Sequence, residues 1–164
     1  MHCLKIRELD MGDLDMLSRF IMDAYNDFPL AMWFETKPSQ SEIERIFYNK
    51  IRSAGLRNLV DIISEDNNVI TGECEIAKAG FDLGVIGVIV RKGYRGYNIG
   101  SSILSKAMDN AVDIGITRFM AEVREENKEG LKFFIGNGFA PVGYRDTEGT
   151  SGKIRIVVLQ KSIR

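Results

Sequence analysis

The chain of 164 residues is 45% hydrophobic and 27% charged, which indicates one globular domain over residues 1–164. Its 22 basic and 23 acidic side chains give a net charge of −1, and this balance argues against a nucleic-acid partner. Cys3 and Cys74 lack metal-ligand spacing and His2 is the only histidine, so structural zinc and histidine-dependent catalysis are excluded and no metal is expected. No apolar run has signal-peptide or membrane-span length, so we expect a cytoplasmic protein without a membrane partner.

The first elements in chain order are a short strand and two helices. Leu4–Arg7 predicts the strand. The first helix begins behind Asp10 or Asp13 as its cap and ends before Pro29, because apolar residues recur at helical spacing between them. A second amphipathic helix begins after Pro38.

Apolar runs of strand length then predict a three-stranded antiparallel meander. Its strands are Leu59–Ile63, Val69–Ala77 and Leu83–Val90. The remaining elements are a helix from Ile99 to Gly115, a strand Ile116–Arg124, a helix capped by Asn127, and strands Phe139–Arg145 and Lys153–Gln160. This order predicts the α+β class with a mixed sheet, in which the strand–helix–strand unit Leu83–Arg124 is parallel.

The loop between the meander and the next helix carries the main functional signal. Its glycines and basic residues are Arg91, Lys92, Gly93, Arg95, Gly96 and Gly100. The surrounding window Leu83–Met108 has four basic residues and no acidic one. Because a helix N terminus presents unpaired N–H groups, a glycine-rich loop leading into it favours an anionic ligand. The alternative is that the glycines only permit close packing of strand and helix; the Walker and dinucleotide glycine motifs do not match.

The segment Ile89–Ser101 resembles the acetyl-CoA signature of the GNAT acetyltransferases, Arg/Gln-x-x-Gly-x-Gly/Ala. Arg95 takes its first position and Gly100 its last, whereas Asn98 stands at the middle glycine. Further along, Met120–Asn127 and Phe133–Phe139 are similar to the family's Glu-Val-x-x-x-Asn and Tyr-x-x-x-Gly-Phe motifs. The match is closest to the branch that acetylates protein N termini. The resemblance implies an α/β/α layered fold with a mixed, central splayed sheet.

The resemblance also implies acetyl-CoA as cosubstrate and assigns residues to it. The strand before the loop would pair with the pantetheine arm, the loop amides would hold the pyrophosphate, and Asn127 would approach the pantetheine. The implied cofactor-binding residues are Val88, Ile89, Val90, Arg95, Gly96, Tyr97, Asn98, Ile99, Gly100, Ser101 and Asn127. The structural alternatives are a core strand for Val88–Val90 and a helix cap for Asn127.

Acetyl transfer to an amine needs a neutral nucleophile, and a carboxylate can take its proton. Glu122 matches the position of that base in the N-terminal-acetylating branch, with Glu73 and Glu75 as reserve candidates. The alternative for Glu122 is a solvated charge paired with Arg124 or Lys128.

The usual proton donor for the leaving thiolate is replaced in this sequence, because Phe134 stands where many members carry a tyrosine. Tyr97 and Tyr144 are unranked substitutes. The histone-acetylating branch is disfavoured because the window Leu83–Met108 lacks its strand glutamate.

The acceptor amine is expected to be a peptide N terminus, a polyamine or another small amine. The resemblance places its pocket at Tyr25, Asp27, Trp33, Phe34, Glu35 and the turn Tyr144–Gly152. The four basic and nine acidic residues of Met1–Glu44 suit a cationic amine or only solvate helix faces. Two other functions stay open, a non-catalytic acyl-CoA-binding or regulatory module and a nucleotide-phosphate binder of another fold. A homodimer is allowed, and the sequence does not fix the oligomeric state.

Overall fold

The computed structural model describes residues 4–27, 36–54 and 57–163. Seven strands and four α-helices follow one another in the predicted order. They are β1 (Lys5–Glu8), α1 (Leu14–Asp27), α2 (Gln40–Ala54), β2 (Leu59–Asp66), β3 (Val69–Lys78), β4 (Leu83–Val90), α3 (Ile99–Asp113), β5 (Arg118–Arg124), α4 (Lys128–Gly136), β6 (Ala140–Gly149) and β7 (Gly152–Ser162). The described helices are too short or too polar to cross a bilayer.

The strands form one mixed sheet in the order β1-β2-β3-β4-β5-β7-β6. Strands β2, β3 and β4 form the predicted antiparallel meander, and β4 pairs with β5 in parallel, as predicted. The α+β class with a mixed sheet is therefore confirmed.

Two apolar cores lie on opposite faces of this sheet, because side chains alternate along each strand. One face packs against α3 and α4 and contains Ile62, Ile86 and Phe119. The other packs against α1 and α2 and contains Ile63 and Ile70. The molecule is thus an α/β/α sandwich, and a residue's position along β4 or β5 decides which helix pair it faces.

Both predicted caps of α1 are used. Met11–Asp13 forms a 3-10 turn before α1; the Asp10 carboxylate accepts a hydrogen bond from the Gly12 N–H, and Asp13 accepts one from the Asp10 N–H. Arg7 donates two short hydrogen bonds to Asp13 and holds the pKa of that carboxyl below its usual value. The chain therefore enters α1 through a complete capping box.

The predicted ends of the last hairpin are wrong. Strands were expected to stop at Arg145 and to resume at Lys153, whereas β6 reaches Gly149 and β7 begins at Gly152. Asp146 pairs with Arg155 and Thr147 with Ile154 in this extension. The segment is polar because β6 is an exposed edge strand, so hydrophobic periodicity does not mark it.

Candidate active site

Strands β4 and β5 separate half-way along their length and leave a gap in the sheet. Their pairing runs from Leu83 opposite Arg118 to Ile86 opposite Ala121, and no later pair is formed. Val88, Ile89 and Val90 of β4 therefore face β5 without pairing to it. The predicted splay of the central sheet is present.

A cavity of about 900 Å³ passes through this gap. Its wall includes Glu122 and ten of the eleven predicted cofactor-binding residues: Val88, Ile89, Val90, Arg95, Gly96, Asn98, Ile99, Gly100, Ser101 and Asn127. Tyr97 does not line it, and 66% of Tyr97 is exposed to solvent. The cavity connects the α3/α4 face with the α1/α2 face, since Val88 and Val90 point to the former and Glu75 and Glu122 to the latter.

The N terminus of α3 opens into the cavity on the α3/α4 face. The backbone carbonyl of Asn98 accepts from the Ser102 N–H, so the amides of Ile99, Gly100 and Ser101 precede the helical hydrogen-bond ladder. Asn98 has φ of 61° and Gly96 has φ of 83°, both left-handed. Asn98 thus takes the conformation that a glycine would supply at this signature position.

Gly100 is required for close packing as well as for the loop. A Cβ atom on Gly100 would lie 2.9 Å from Cε2 of Phe133. At Gly96 no atom of the described residues lies within 4 Å of the corresponding Cβ position, so the role of this glycine is conformational. The packing explanation of the glycines therefore holds at Gly100 and not at Gly96.

Only one of the three basic loop residues lines the cavity. Arg95 does, and its guanidinium donates to the Val90 carbonyl and to Glu129. Arg91 turns away, and its Nη1 lies 2.8 Å from Asp23 of α1. Lys92 is exposed outside the cavity wall. The expectation that all three residues charge the phosphate loop is wrong for Arg91, because its partner lies on a distant helix.

Glu122 stands at the point where β4 and β5 separate, one residue beyond the last pair. Its carboxylate accepts two hydrogen bonds from Arg145 of β6, at 2.9 and 2.6 Å. The expected pairing with Arg124 or Lys128 is replaced by this bidentate ion pair. The partner holds both carboxylate oxygens in one orientation, and both residues lie in the cavity wall.

Three further carboxylates lie on the α1/α2 face, one in the cavity wall and two behind it. Glu75 lines the cavity, and both of its oxygens accept from Nζ of Lys50, at 2.9 and 2.8 Å. Glu73 and Asp61 lie deeper; burial raises the pKa of Glu73 to about 8, and burial with the nearby carboxylates raises the pKa of Asp61 well above its usual value. Of the two reserve base candidates, Glu75 is therefore the one that lines the cavity.

Comparisons with known proteins decide the family. A model of the acetyltransferase (GNAT) family matches residues 19–139. The chain belongs to the GNAT family. No curated protein sequence matches it. Membership of the GNAT family contradicts the alternative of a nucleotide-phosphate binder with another fold.

Solved structures with the same fold cover almost the whole GNAT chain. A ribosomal-protein-alanine N-acetyltransferase from Brucella melitensis is 19% identical, with a TM-score of 0.82 over 97% of this chain and 99% of that one. A ribosomal-protein-S5-alanine acetyltransferase from Vibrio fischeri is 16% identical, with a TM-score of 0.81 over 97% and 92%. A Salmonella typhimurium protein solved with its cofactor acetyl-CoA is 18% identical, with a TM-score of 0.80 over 98% and 94%.

Acetyl-CoA is the cosubstrate of this GNAT enzyme, and the cavity fits it. The unpaired edge of β4, the open first turn of α3 and the left-handed Gly96 lie along one wall, as an extended pantetheine and a pyrophosphate require. Asn127 is a helix cap as well as a wall residue, since its side chain accepts from the Gly130 N–H at 3.0 Å. Its interpretation as a helix cap is therefore confirmed, and its contact with the pantetheine stays a prediction.

The two predicted substitutes for the family tyrosine do not line the cavity. Tyr144 is 65% exposed on β6, and Tyr97 is exposed on the phosphate loop. Phe134 does line it, packed edge-on against Phe133 and Phe139. Tyr94 is the tyrosine found in the described cavity wall, and its hydroxyl lies 3.1 Å from Asp66.

The acceptor residues predicted from the sequence are only partly placed. Trp33, Phe34 and Glu35 lie outside the described residues, and neither Tyr25 nor Asp27 lines the cavity. From the last hairpin, Arg145, Thr147 and Ile154 line it. The predicted turn thus contributes Arg145 and Thr147 to the cavity wall, and its part in binding the acceptor stays a prediction. The sequence does not reveal that Arg145 is the partner of Glu122. The alternation of side chains along β5, β7 and β6, combined with the pairing of these strands, places Glu122 and Arg145 on the same face and could have indicated this ion pair.

Replacing Arg95 should weaken CoA binding, whereas replacing Lys92 should not. We expect Arg95→Gln to raise the Kd for CoA about 10-fold, or ~1.4 kcal/mol, because Arg95 is the cationic side chain of the loop that lines the cavity. The effect should shrink with added salt because mobile ions screen it. Titration calorimetry at 50 and 500 mM NaCl measures both values. Lys92→Gln is the matched control, and equal losses in the two variants would contradict the assignment.

Proposed function

We propose that this GNAT enzyme transfers the acetyl group of acetyl-CoA to a primary amine by direct attack in a ternary complex. One observation carries the proposal: a carboxylate held by an arginine, Glu122 with Arg145, stands at the sheet gap in the same cavity as the open N terminus of α3. The cofactor elements lie on one face of the sheet and Glu122 faces the other. This arrangement suits two substrates that meet in the gap.

In this proposal the residues of the chain divide the work between binding and proton transfer. The edge of β4 and the first turn of α3 hold the cosubstrate, which supplies an activated thioester. Glu122 takes a proton from the acceptor ammonium, because only the neutral amine has the lone pair that forms the new C–N bond. The C–S bond of the thioester breaks as the C–N bond forms, and the departing CoA thiolate takes up the proton that the attacking nitrogen releases. Arg145 holds the carboxylate in one orientation through two charge-assisted hydrogen bonds.

We infer that the acceptor is a peptide or protein N terminus, with polyamines and other small amines as weaker candidates. Glu75 and Glu122 in the cavity wall are paired with Lys50 and Arg145, so the wall formed by the described residues carries no excess negative charge of the kind that selects a polycation. None of the described acidic residues from the first 44 positions lines the cavity. The similar structures from Brucella and Vibrio are named for acetylating ribosomal-protein alanines, which supports an N-terminal acceptor and a cytoplasmic site of action.

The proposal is tested by following free thiol while the protein, acetyl-CoA and a panel of acceptors react. The panel contains peptides with N-terminal alanine or serine, the same peptides with blocked N termini, and a polyamine. We expect turnover with free N termini and none with blocked ones. Turnover with the polyamine alone would reject the N-terminal acceptor and keep the acetyltransferase.

The second candidate is a non-catalytic acyl-CoA-binding module, favoured by Phe134 in the cavity wall where a tyrosine is typical. It predicts that CoA raises the melting temperature, because a ligand that binds only the folded state stabilises it. It also predicts no thiol release with any acceptor. Stabilisation without turnover across the full panel would therefore replace the first proposal by the second.

A further inference from the structure

Asp61, Glu73 and Glu75 form a buried carboxylate cluster on the α1/α2 face of the sheet. Asp61 of β2 lies directly opposite Glu75 of β3, and Glu73 is two residues away on the same strand and face. One oxygen from each residue lies within 4.8 Å of the other two. The register of β2 and β3 thus brings together acids separated by up to 14 positions.

Two of these side chains have polar atoms without a partner. Asp61 is 9% exposed and Glu73 is 4% exposed. Among the residues that the structure describes, no donor group reaches either oxygen of Asp61 or Oε1 of Glu73, and the Asp61 and Glu73 carboxylates lie against each other. A buried oxygen without a hydrogen bond or a bound cation lowers the stability of the fold. These oxygens therefore indicate a site for a ligand.

The charges of the cluster identify the class of that ligand. With all three carboxylates deprotonated, as a bound cation requires, the cluster and the Lys50 ammonium, which contacts Glu75, sum to −2. A divalent cation balances this charge, and carboxylate oxygens are the ligands of hard cations. The carboxylates are buried, and Mg²⁺ gives up its bound waters reluctantly, so an ion of Ca²⁺ or Mn²⁺ size fits this cluster better than Mg²⁺.

We propose that Asp61, Glu73 and Glu75 bind one divalent cation of Ca²⁺ or Mn²⁺ size, which links β2 to β3 behind the active-site cavity. Lys50 stays as the partner of Glu75 on the side of α2. Asp61 and Glu73 do not line the cavity, so the ion supports the wall that carries Glu75 and stands apart from the acetyl-transfer step. The proposal does not depend on the acceptor or on catalysis.

The test uses the full-length protein stripped of metal by chelator dialysis and titrated with MnCl₂, CaCl₂ or MgCl₂. We expect one Mn²⁺ per chain by electron paramagnetic resonance. At a hundredfold excess over the Kd, the melting temperature should rise by ~5–10 °C, with a smaller rise for Mg²⁺. Asp61→Asn with Glu73→Gln should abolish both signals, and Asp109→Asn on the exposed face of α3 is the control.

Two outcomes overturn the proposal. If wild-type protein binds no Mn²⁺ and its melting temperature is unchanged by every ion, the cluster holds protons in place of a cation. If the double variant keeps the wild-type response to Mn²⁺, the ion binds elsewhere. Should the double variant fail to fold, Glu73→Gln alone provides the comparison, with at least a 10-fold weaker Mn²⁺ Kd expected.

Discussion

Glu122→Gln should lower kcat by ~10²- to 10⁴-fold while leaving the Kd for CoA unchanged. The amide cannot accept the proton of the acceptor ammonium, whereas its oxygen can still accept one hydrogen bond from Arg145. Glu122 lies on the α1/α2 face and the cosubstrate elements on the other, so the substitution should affect chemistry and not cosubstrate binding. Initial rates of thiol release at saturating substrates measure the loss.

The matched control is Glu126→Gln, which removes an exposed carboxylate four residues on and outside the cavity wall. It should retain wild-type turnover. The pH–rate profile gives a second readout, because loss of the base removes one ionisation from the profile. An unchanged kcat and profile in Glu122→Gln would contradict the assignment, and a loss confined to Glu75→Gln would move the base to that carboxylate.

Arg145 should matter for catalysis as a positioning residue rather than as a fold residue. Its side chain is half exposed and contacts Glu122 across the β5–β7–β6 ladder. Without it, the carboxylate of Glu122 loses two hydrogen bonds that fix its direction. We therefore expect Arg145→Gln to lower kcat by part of the loss seen in Glu122→Gln. The variant keeps the Glu122 carboxylate but no longer fixes its orientation.

The elements of the fold could be predicted because their signals are local. Helical spacing, caps and apolar runs placed every helix and strand in the right order, and β4 was predicted at its observed bounds, Leu83–Val90. Prediction failed at the ends of exposed strands. There, β6 continues through Asp146 and Thr147 because β7 pairs with them, although their side chains show no buried face.

In the candidate site, too, the features formed by neighbouring residues could be predicted, whereas contacts between distant residues could not. The phosphate loop is a continuous segment, so its residues could be predicted from the motif. The partners of Glu122, Glu75 and Arg91 lie 23, 25 and 68 positions away. Such pairs depend on strand register and on how a helix packs over the sheet, and a single sequence contains neither. For that reason the sequence does not reveal the carboxylate cluster, although it indicates Glu73 and Glu75 as reserve bases.

A negative charge placed in the first turn of α3 should abolish CoA binding and leave the fold intact. Ser101 is the third residue of α3 and lines the cavity. Ser101→Glu should raise the Kd for CoA at least ~100-fold, because two unit charges of like sign 4 Å apart repel by ~4 kcal/mol at an effective dielectric constant near 20. Titration calorimetry with CoA measures the change.

The same substitution should stabilise the unliganded protein slightly, which separates lost binding from lost folding. An acidic side chain in the first helical turn interacts favourably with the helix dipole, by ~0.3–1 kcal/mol, so the melting temperature should stay level or rise by ~1–3 °C. Ser105→Glu, one turn further along on the exposed face and outside the cavity wall, is the matched control and should bind CoA as wild type does. Tight CoA binding by Ser101→Glu would mean that the pyrophosphate does not lie at the N terminus of α3. The two variants add the same charge to α3 and differ only in where they place it. Equal losses of CoA affinity in both would therefore indicate an effect of the overall charge of the helix.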